Sequence, residues 1–523
     1  MKEQTAAGKL LKGTIVIVAV SVLAKIISFI TEAILAGYLG TTYQSDAYYM
    51  VASIQNVIYP MLSFGIWTVY LPIYKEKITI GEQKSADELA DKVITVTTIA
   101  SAAVVAVLMA FSPAVVSVVA PGFEGETKRL CAELVRLSAP MYIFIIAAAV
   151  YASMLQCHNR FLGSQIREVA SHIPTILAAV FLYPKYGIKA LAVALVAGGM
   201  CRLLIELPFV NWGYRFRPSF RKKSKEFSLM MRRLPSALVS AGVTRLNVLV
   251  DKMMASALPA GAVSSLSYGS RLSNVFNGLL STAVSTAVYP QIVELISLKK
   301  NRELNRLLSK IIRVFMVIMI PVTVACILFR RELISVVFER GAFGTESVSL
   351  TAGVFACYSA GLFFLACNTV LVNVFYGHGD TKTPMNIGIA NLTVNIVLNI
   401  LMIKMLGTNG LALATSLSSC FVFVLRLILI EKYVQFEWKS IFSTFGKIII
   451  AALIACLIPR LSINMIEINK YLELVLAAFC GVLIYLIELR ILKIDELEFI
   501  IRMIRNRRAG KKASQTGQIE NME

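Results

Sequence analysis

Roughly fourteen stretches of this 523-residue chain are each long and apolar enough to cross a bilayer as a helix, and no other feature limits its fold so severely. They lie near 13–40, 47–73, 93–119, 130–156, 161–182, 188–212, 229–256, 264–290, 308–329, 350–375, 384–403, 409–430, 444–459 and 471–492. A hydrocarbon layer about 30 Å thick takes ~20 apolar residues per helix, and a helix satisfies its backbone hydrogen bonds internally. With 57% hydrophobic and 16% charged residues and a mean hydropathy of +0.71, the chain lacks the polar side chains that would coat a soluble globule. The run from Gly13 to Gly40 is too long for a signal-peptide core and counts as the first span. The expected fold class is an all-α polytopic membrane protein.

The net charge of +21 orients it. If the N-terminus is cytoplasmic, the segments near 1–12, 74–92, 157–160, 213–233, 298–313, 376–383, 431–440 and 490–512 share that side, with about 33 Lys and Arg against about 10 opposite. That bias places both termini in the cytoplasm. Basic loops facing an anionic leaflet account for the charge without nucleic acid, for which no soluble basic domain exists. The nine cysteines are scattered singly with no CxxC, so neither a zinc site nor a disulfide framework is indicated. No Walker A or HExxH pattern occurs, which leaves an ATP-driven pump and a metalloprotease without a motif. No cofactor or metal is expected, and a coupling ion cannot be named from the residues.

The chain matches itself at a shift near 218–220. Leu71-Pro72 falls on Tyr289-Pro290, Ser117-Val118-Val119 on Ser335-Val336-Val337, His158 on His378 and Gly187 on Gly407. Each Ser-Val-Val trio precedes a glycine turn, Pro121-Gly122-Phe123 or Arg340-Gly341-Ala342-Phe343. Ordered matches at a near-constant offset indicate duplication. The expected plan is two pseudo-symmetric six-helix lobes, 1–220 and 221–438, two added helices over 439–492, and a basic cytoplasmic tail over 493–523. An even number of spans per lobe makes the repeats parallel, with a cavity between them for alternating access.

A charge at mid-membrane costs at least ~2.5–3.5 kcal/mol on insertion scales and calls for a cavity or a partner. Lys25 and Glu32 in the first span, Arg245, Asp251 and Lys252 in the seventh, and Arg271 in the eighth fit that description. They sit on repeat-related helices and are expected to converge on the cavity. A cationic cavity suits an anionic cargo, and an arginine fork grips a phosphate. Arg136, Arg167, Glu168, Arg202 and Glu206 lie nearer span ends; Arg167–Glu168 and Arg202–Glu206, the latter at i,i+4 spacing, read as structural pairs. The turn at 340–343 reads equally as a gate contact and as a simple turn.

Phe338-Glu339-Arg340-Gly341-Ala342-Phe343, the stretch Tyr376 to Pro384, Ala120-Pro121-Gly122-Phe123 and Asn159-Arg160-Phe161 resemble the MurJ/MviN family, of the multidrug/oligosaccharidyl-lipid/polysaccharide flippase superfamily. The similarity covers about 13–432. It implies a V-shaped two-lobe fold with a lipid-tail groove at the last two helices. It further implies translocation of lipid II, the undecaprenyl-pyrophosphate-linked peptidoglycan precursor, across the bacterial cytoplasmic membrane. By the same resemblance Arg271, in Tyr268-Gly269-Ser270-Arg271-Leu272, and Lys25 match cavity cations, and Asp46 matches the acidic residue that begins the second helix. Two further family arginines fall on Thr31 and near Tyr59 and are absent, so Arg245 or Lys252 would replace them. The expected binding set is therefore Lys25, Arg271, Arg245 and Lys252, with Glu32, Asp46, Asp251, Glu339 and Arg340 in cavity or gating roles.

That set describes a non-enzymatic flippase, working as a monomer among membrane lipids. One alternative is carriage of another polyprenyl-pyrophosphate saccharide. Another is a drug/cation antiporter, which would prefer acidic cavity walls. A membrane glycosyltransferase would need catalytic carboxylates in a sizeable extramembrane region, and no loop here is long enough.

Overall fold

The computed structural model describes residues 2–220, 225–434, 436, 438–463, 469–492 and 494, with side chains from Ala19 onward apart from a few positions, Arg245 among them. The expected basic tail from 493 lies outside the described residues except for Ile494, as do Arg221 to Lys223.

Among the described residues every regular element is helical. The first half contains α1 (Lys2–Leu39), α2 (Tyr43–Thr79), α3 (Gln83–Ala110), α4 (Ser112–Val119), α5 (Gly125–Ser138), α6 (Met141–Cys157), α7 (Phe161–Leu177), the single turn α8 (Tyr183–Tyr186) and α9 (Ile188–Glu206). The second half contains α10 (Lys225–Ala255), α11 (Ala262–Ser297), α12 (Asn301–Leu328), α13 (Arg330–Phe338), α14 (Thr345–Ser359), α15 (Leu362–Gly377), α16 (Lys382–Leu406) and α17 (Thr408–Ile430). Two further helices follow, α18 (Trp438–Ile463) and α19 (Lys470–Ile491).

Among the described residues ten helices are long and apolar enough to span a bilayer, or up to twelve spans if each of two bent pairs counts once. The long helices α10 and α11 lie where the seventh and eighth spans were expected. The multi-pass reading therefore holds, with corrections at breaks. The stretch expected as one span over 93–119 ends as α3 at Ala110, because Pro113 in the first turn of α4 cannot donate to the preceding turn. The fourth span of each half is bent, by 45° between α5 and α6 and by 42° between α14 and α15. The breaks occupy equivalent places, after Ser138-Ala139 at Pro140 and after Ser359-Ala360 at Gly361.

The repeat also appears in side-chain packing. His158, beyond the end of α6, stacks on Trp212 with ring centroids 3.9 Å apart, and His378, beyond the end of α15, stacks on Tyr433 at 4.1 Å. Both imidazoles follow the last turn of a repeat-equivalent helix and meet an aromatic ring just past the sixth span of their half.

The described chain forms two compact units, Met1–Tyr268 with Phe338–Leu350, and Gly269–Val337 with Thr351–Glu523. In the first, α2 packs against α10, α6 and α5, and α7 lies between α1 and α9. The α7–α9 contact depends on Gly198, where a Cβ would come within 2.6 Å of the Ser171 carbonyl oxygen. We expect Gly198→Val to force these helices apart and cost about 2 kcal/mol, read as a lower melting temperature of the purified protein; an unchanged melting temperature would contradict this packing. In the second unit α12 carries the core: Phe315, Met319 and Leu308 are buried where α12 packs against α15 and α18. Tyr485 of α19 donates to the Val317 carbonyl at 2.8 Å, and Arg460 of α18 pairs with Glu332 at 2.7 Å. The two added helices are thus bolted to α12 and α13. Their outward residues Ile450, Leu453, Val475, Phe479 and Val482 are exposed, as suits a lipid-facing surface.

Candidate functional site

At the end of the first unit where α1 turns into α2, parts of both sequence halves are knitted together. Asp46, in the first turn of α2, is 3% exposed. Its two carboxylate oxygens accept from the backbone amides of Gly261 and Ser264 at 2.7 Å each. Those amides begin α11, so a negative charge caps the positive end of that helix dipole. Asp46 and Ser264 are separated by 218 residues, the offset of the internal repeat.

The two glycine turns dock reciprocally. Gly341, at φ +56°, brings the turn against α1: Ala342 N donates to the Gly37 carbonyl at 2.7 Å, and a Cβ on Gly341 would come within 2.3 Å of the same oxygen. Gly122 brings the other turn against the end of α10: its amide donates to Ser256 Oγ at 3.0 Å, and a Cβ there would lie 2.3 Å from Ala257 Cα. Each half therefore presses its glycine turn onto the first helix of the other half. Thr41 and Ser347 add a hydroxyl pair at 2.7 Å. Beneath them Tyr268, Phe338 and Phe343 are fully buried, and Tyr268 meets Tyr49 edge-on at 5.0 Å and each phenylalanine at 5.3 Å. Tyr49 donates to Glu32 Oε2 at 2.7 Å, while the Lys252 ammonium lies 5.9 Å over the Tyr49 ring. Asp251 and Lys252 are both buried. Of the expected residues, Glu32, Asp46, Lys252 and the 339–340 turn thus meet in one closed cluster, with Asp251 alongside Lys252 on α10.

The expected cavity cations are placed differently. Lys25 is exposed on α1 and forms no ion pair among the described residues. Arg271 is exposed on the part of α11 that belongs to the second unit. The side chain of Arg245 lies outside those described. Lys252 is 8% exposed and belongs to the closed cluster, so its expected role as an open binding cation is corrected by its burial against Tyr49. Thr31 is buried and its hydroxyl donates to the Ile27 carbonyl of its own helix.

Burial also corrects the expected Arg202–Glu206 pair. Arg202 of α9 binds Glu168 of α7 at 2.8 Å, and fully buried Glu206 binds Arg167 of α7 at 3.1 Å. The pairs cross between helices because α7 and α9 pack closely along these turns. The Arg202 guanidinium lies over the Tyr59 ring of α2, 5.0 Å from its centroid. Sequence reasoning missed this crossing, and it missed Tyr49, Gly37, Thr41, Ser256 and Ser347. The repeat match of the glycine turns was a usable signal for their reciprocal docking; a backbone carbonyl acceptor such as Gly37 leaves none.

Comparisons with known proteins agree with this architecture. The family model described as lipid II flippase MurJ matches residues 35–483. A Thermotoga maritima protein named probable lipid II flippase MurJ is 25% identical over 485 residues, covering 92% of this chain and 96% of the relative. The Burkholderia cenocepacia lipid II flippase MurJ is 26% identical over 410 residues, covering 76% and 80%. Among solved structures, a lipid II flippase MurJ in an inward closed conformation matches with TM-score 0.79 at 23% identity, covering 92% of this chain and all of that one. An inward-facing multidrug-resistance MATE transporter of the MOP superfamily has the same fold, with TM-score 0.67 at 13% identity, over 80% and 98%. The chain is a polytopic transporter, not an enzyme, and it belongs to the lipid II flippase MurJ family.

Proposed function

We propose that this protein carries lipid II from the inner to the outer leaflet of the bacterial cytoplasmic membrane by alternating access. The observation that carries the cargo assignment is the family match along 35–483, which includes both halves of the repeat and part of the added helices. Both termini lie in the cytoplasm on the loop-charge argument, so the cluster around Asp46 is the gate on the extracytoplasmic side, closed in this conformation. Lys25 and Arg271 bind the diphosphate, the polyprenyl tail stays in lipid along α18 and α19, and the monomer suffices. Gate opening breaks the Asp46 cap, the two glycine-turn contacts and the Thr41–Ser347 pair as a unit. With no nucleotide motif in the sequence, the drive comes from an ion gradient or the membrane potential; an anionic headgroup leaving an inside-negative cell gains ~2.3 kcal/mol per charge per 100 mV.

The test is replacement. In a bacterium depleted of its own lipid II flippase, expression of this chain should restore growth and surface-exposed lipid II. Well-expressed protein in the membrane with no rescue would refute the cargo assignment.

A further inference from the structure

The four charges between α7 and α9 form a network whose members are not equivalent. Arg167 is committed: Glu206 is fully buried and Arg167 is its ion-pair partner at 3.1 Å. Withdrawing Arg167 would strand a buried carboxylate. Arg202 is held more lightly, by one contact to Glu168 at 2.8 Å, and the Glu168 side chain is 38% exposed. Glu168 is also shared, because its other oxygen lies 3.5 Å from Arg167 Nε. A different anion can therefore replace Glu168 on Arg202 while Glu168 stays paired with Arg167. Nothing buried loses its partner in that exchange.

Beyond the first turn of α7, the exposed side of this pair faces away from the outward apolar residues. At ~100° per residue, Glu168 lies roughly 140° and 180° around α7 from Ile173 and Leu177, each 49% exposed, while Phe161, the first residue of the helix and 39% exposed, shares its face. Arg202 lies roughly 160–180° around α9 from Val193, Met200 and Leu204, exposed apolar residues of that helix. Depth agrees as well. Ser21 of α1 donates to Gln165 of α7 at 2.8 Å, and these first and fifth spans run in the same direction. Lys25 is one turn beyond Ser21 and Glu168 about one turn beyond Gln165, which sets Lys25 and the Glu168–Arg202 pair at one level. The Tyr59 ring under the guanidinium fixes its plane and leaves the fork's edge for a ligand.

We infer that Arg202 is a further contact for the diphosphate headgroup, masked by Glu168 in the empty protein and exchanged onto phosphate when cargo arrives. This deepens the lipid II reading and rests on it. The experiment is binding of undecaprenyl pyrophosphate and of lipid II to the purified full-length protein in nanodiscs, with undecaprenol as the phosphate-free control. Arg202→Gln should weaken binding of both diphosphates about tenfold, the size of one charge-assisted contact, and leave undecaprenol unchanged. Glu168→Gln removes the competing carboxylate and should tighten diphosphate binding by several-fold, which a merely structural ion pair would not do. In the unaltered protein, undecaprenyl pyrophosphate should protect Arg202 from phenylglyoxal, and this decides the matter even if a variant fails to fold. Equal labelling of Arg202 with and without the diphosphate, or Arg202→Gln and Glu168→Gln binding as the parent does, overturns the inference. Failure of the parent protein to bind lipid II at all would instead overturn the cargo assignment.

Discussion

Replacing Asp46 by alanine should open the extracytoplasmic gate and abolish productive flipping while leaving the lobes folded. The carboxylate accepts two backbone amides at 2.7 Å in a buried position. Each charge-assisted hydrogen bond contributes roughly 1.5–3 kcal/mol, and removal leaves two buried donors unsatisfied. A loss of about 3 kcal/mol from the closed state shifts the closed-to-open ratio by a factor on the order of 100. A cysteine at position 347, where the native serine is 7% exposed, should react with an impermeant maleimide from outside far faster in the Asp46→Ala background. Asp46→Asn, which keeps one acceptor and loses the charge, should fall between. Slow labelling in both backgrounds would show that the cap does not hold the gate.

The second large effect belongs to the cavity cations. Arg271→Ala and Lys25→Ala should each reduce lipid II flipping by roughly 10- to 100-fold, the range expected from losing one charge-assisted phosphate contact. Both residues are exposed, so neither change disturbs buried packing, and the melting temperature should hold. Lys25→Arg should retain activity because it restores a cation with a wider fork, whereas Arg271→Lys should recover only part of it. Surface exposure of lipid II, measured with a membrane-impermeant lipid II-degrading enzyme in cells that depend on the variant, provides the readout. Full exposure with Arg271→Ala would remove Arg271 from the binding set.

How far the residues alone carry can be judged at three places. The multi-pass helical architecture was readable, because hydropathy is a one-dimensional signal; His158 and His378, matched by the offset, each stack on an aromatic ring. The bends were not readable as angles. Pro140 announces one of them, but Gly361 gains its meaning only from the close approach of Ser416 on α17, where a Cβ would come within 2.8 Å of its hydroxyl. Of the two expected ion pairs, Arg167–Glu168 forms, at 3.5 Å, and Arg202–Glu206 does not. Spacing of four along α9 favoured Arg202–Glu206, yet α7 lies near enough to offer each a partner on another helix, and tertiary geometry decides between the two. Likewise Lys252 is a cation by sequence, and only the tertiary packing reveals that it is buried over Tyr49.

The account turns on one motion, the separation of the 338–350 segment from the end of α1. Thr41 and Ser347 offer the most direct handle, since their hydroxyl oxygens lie 2.7 Å apart, which sets the side chains of a cysteine pair there side by side. In a background with exposed Cys480 replaced by serine, Thr41→Cys/Ser347→Cys should cross-link on mild oxidation, stop lipid II flipping, and recover it with dithiothreitol. A fully cross-linked protein that flips lipid II at the rate of its reduced form would contradict the gate.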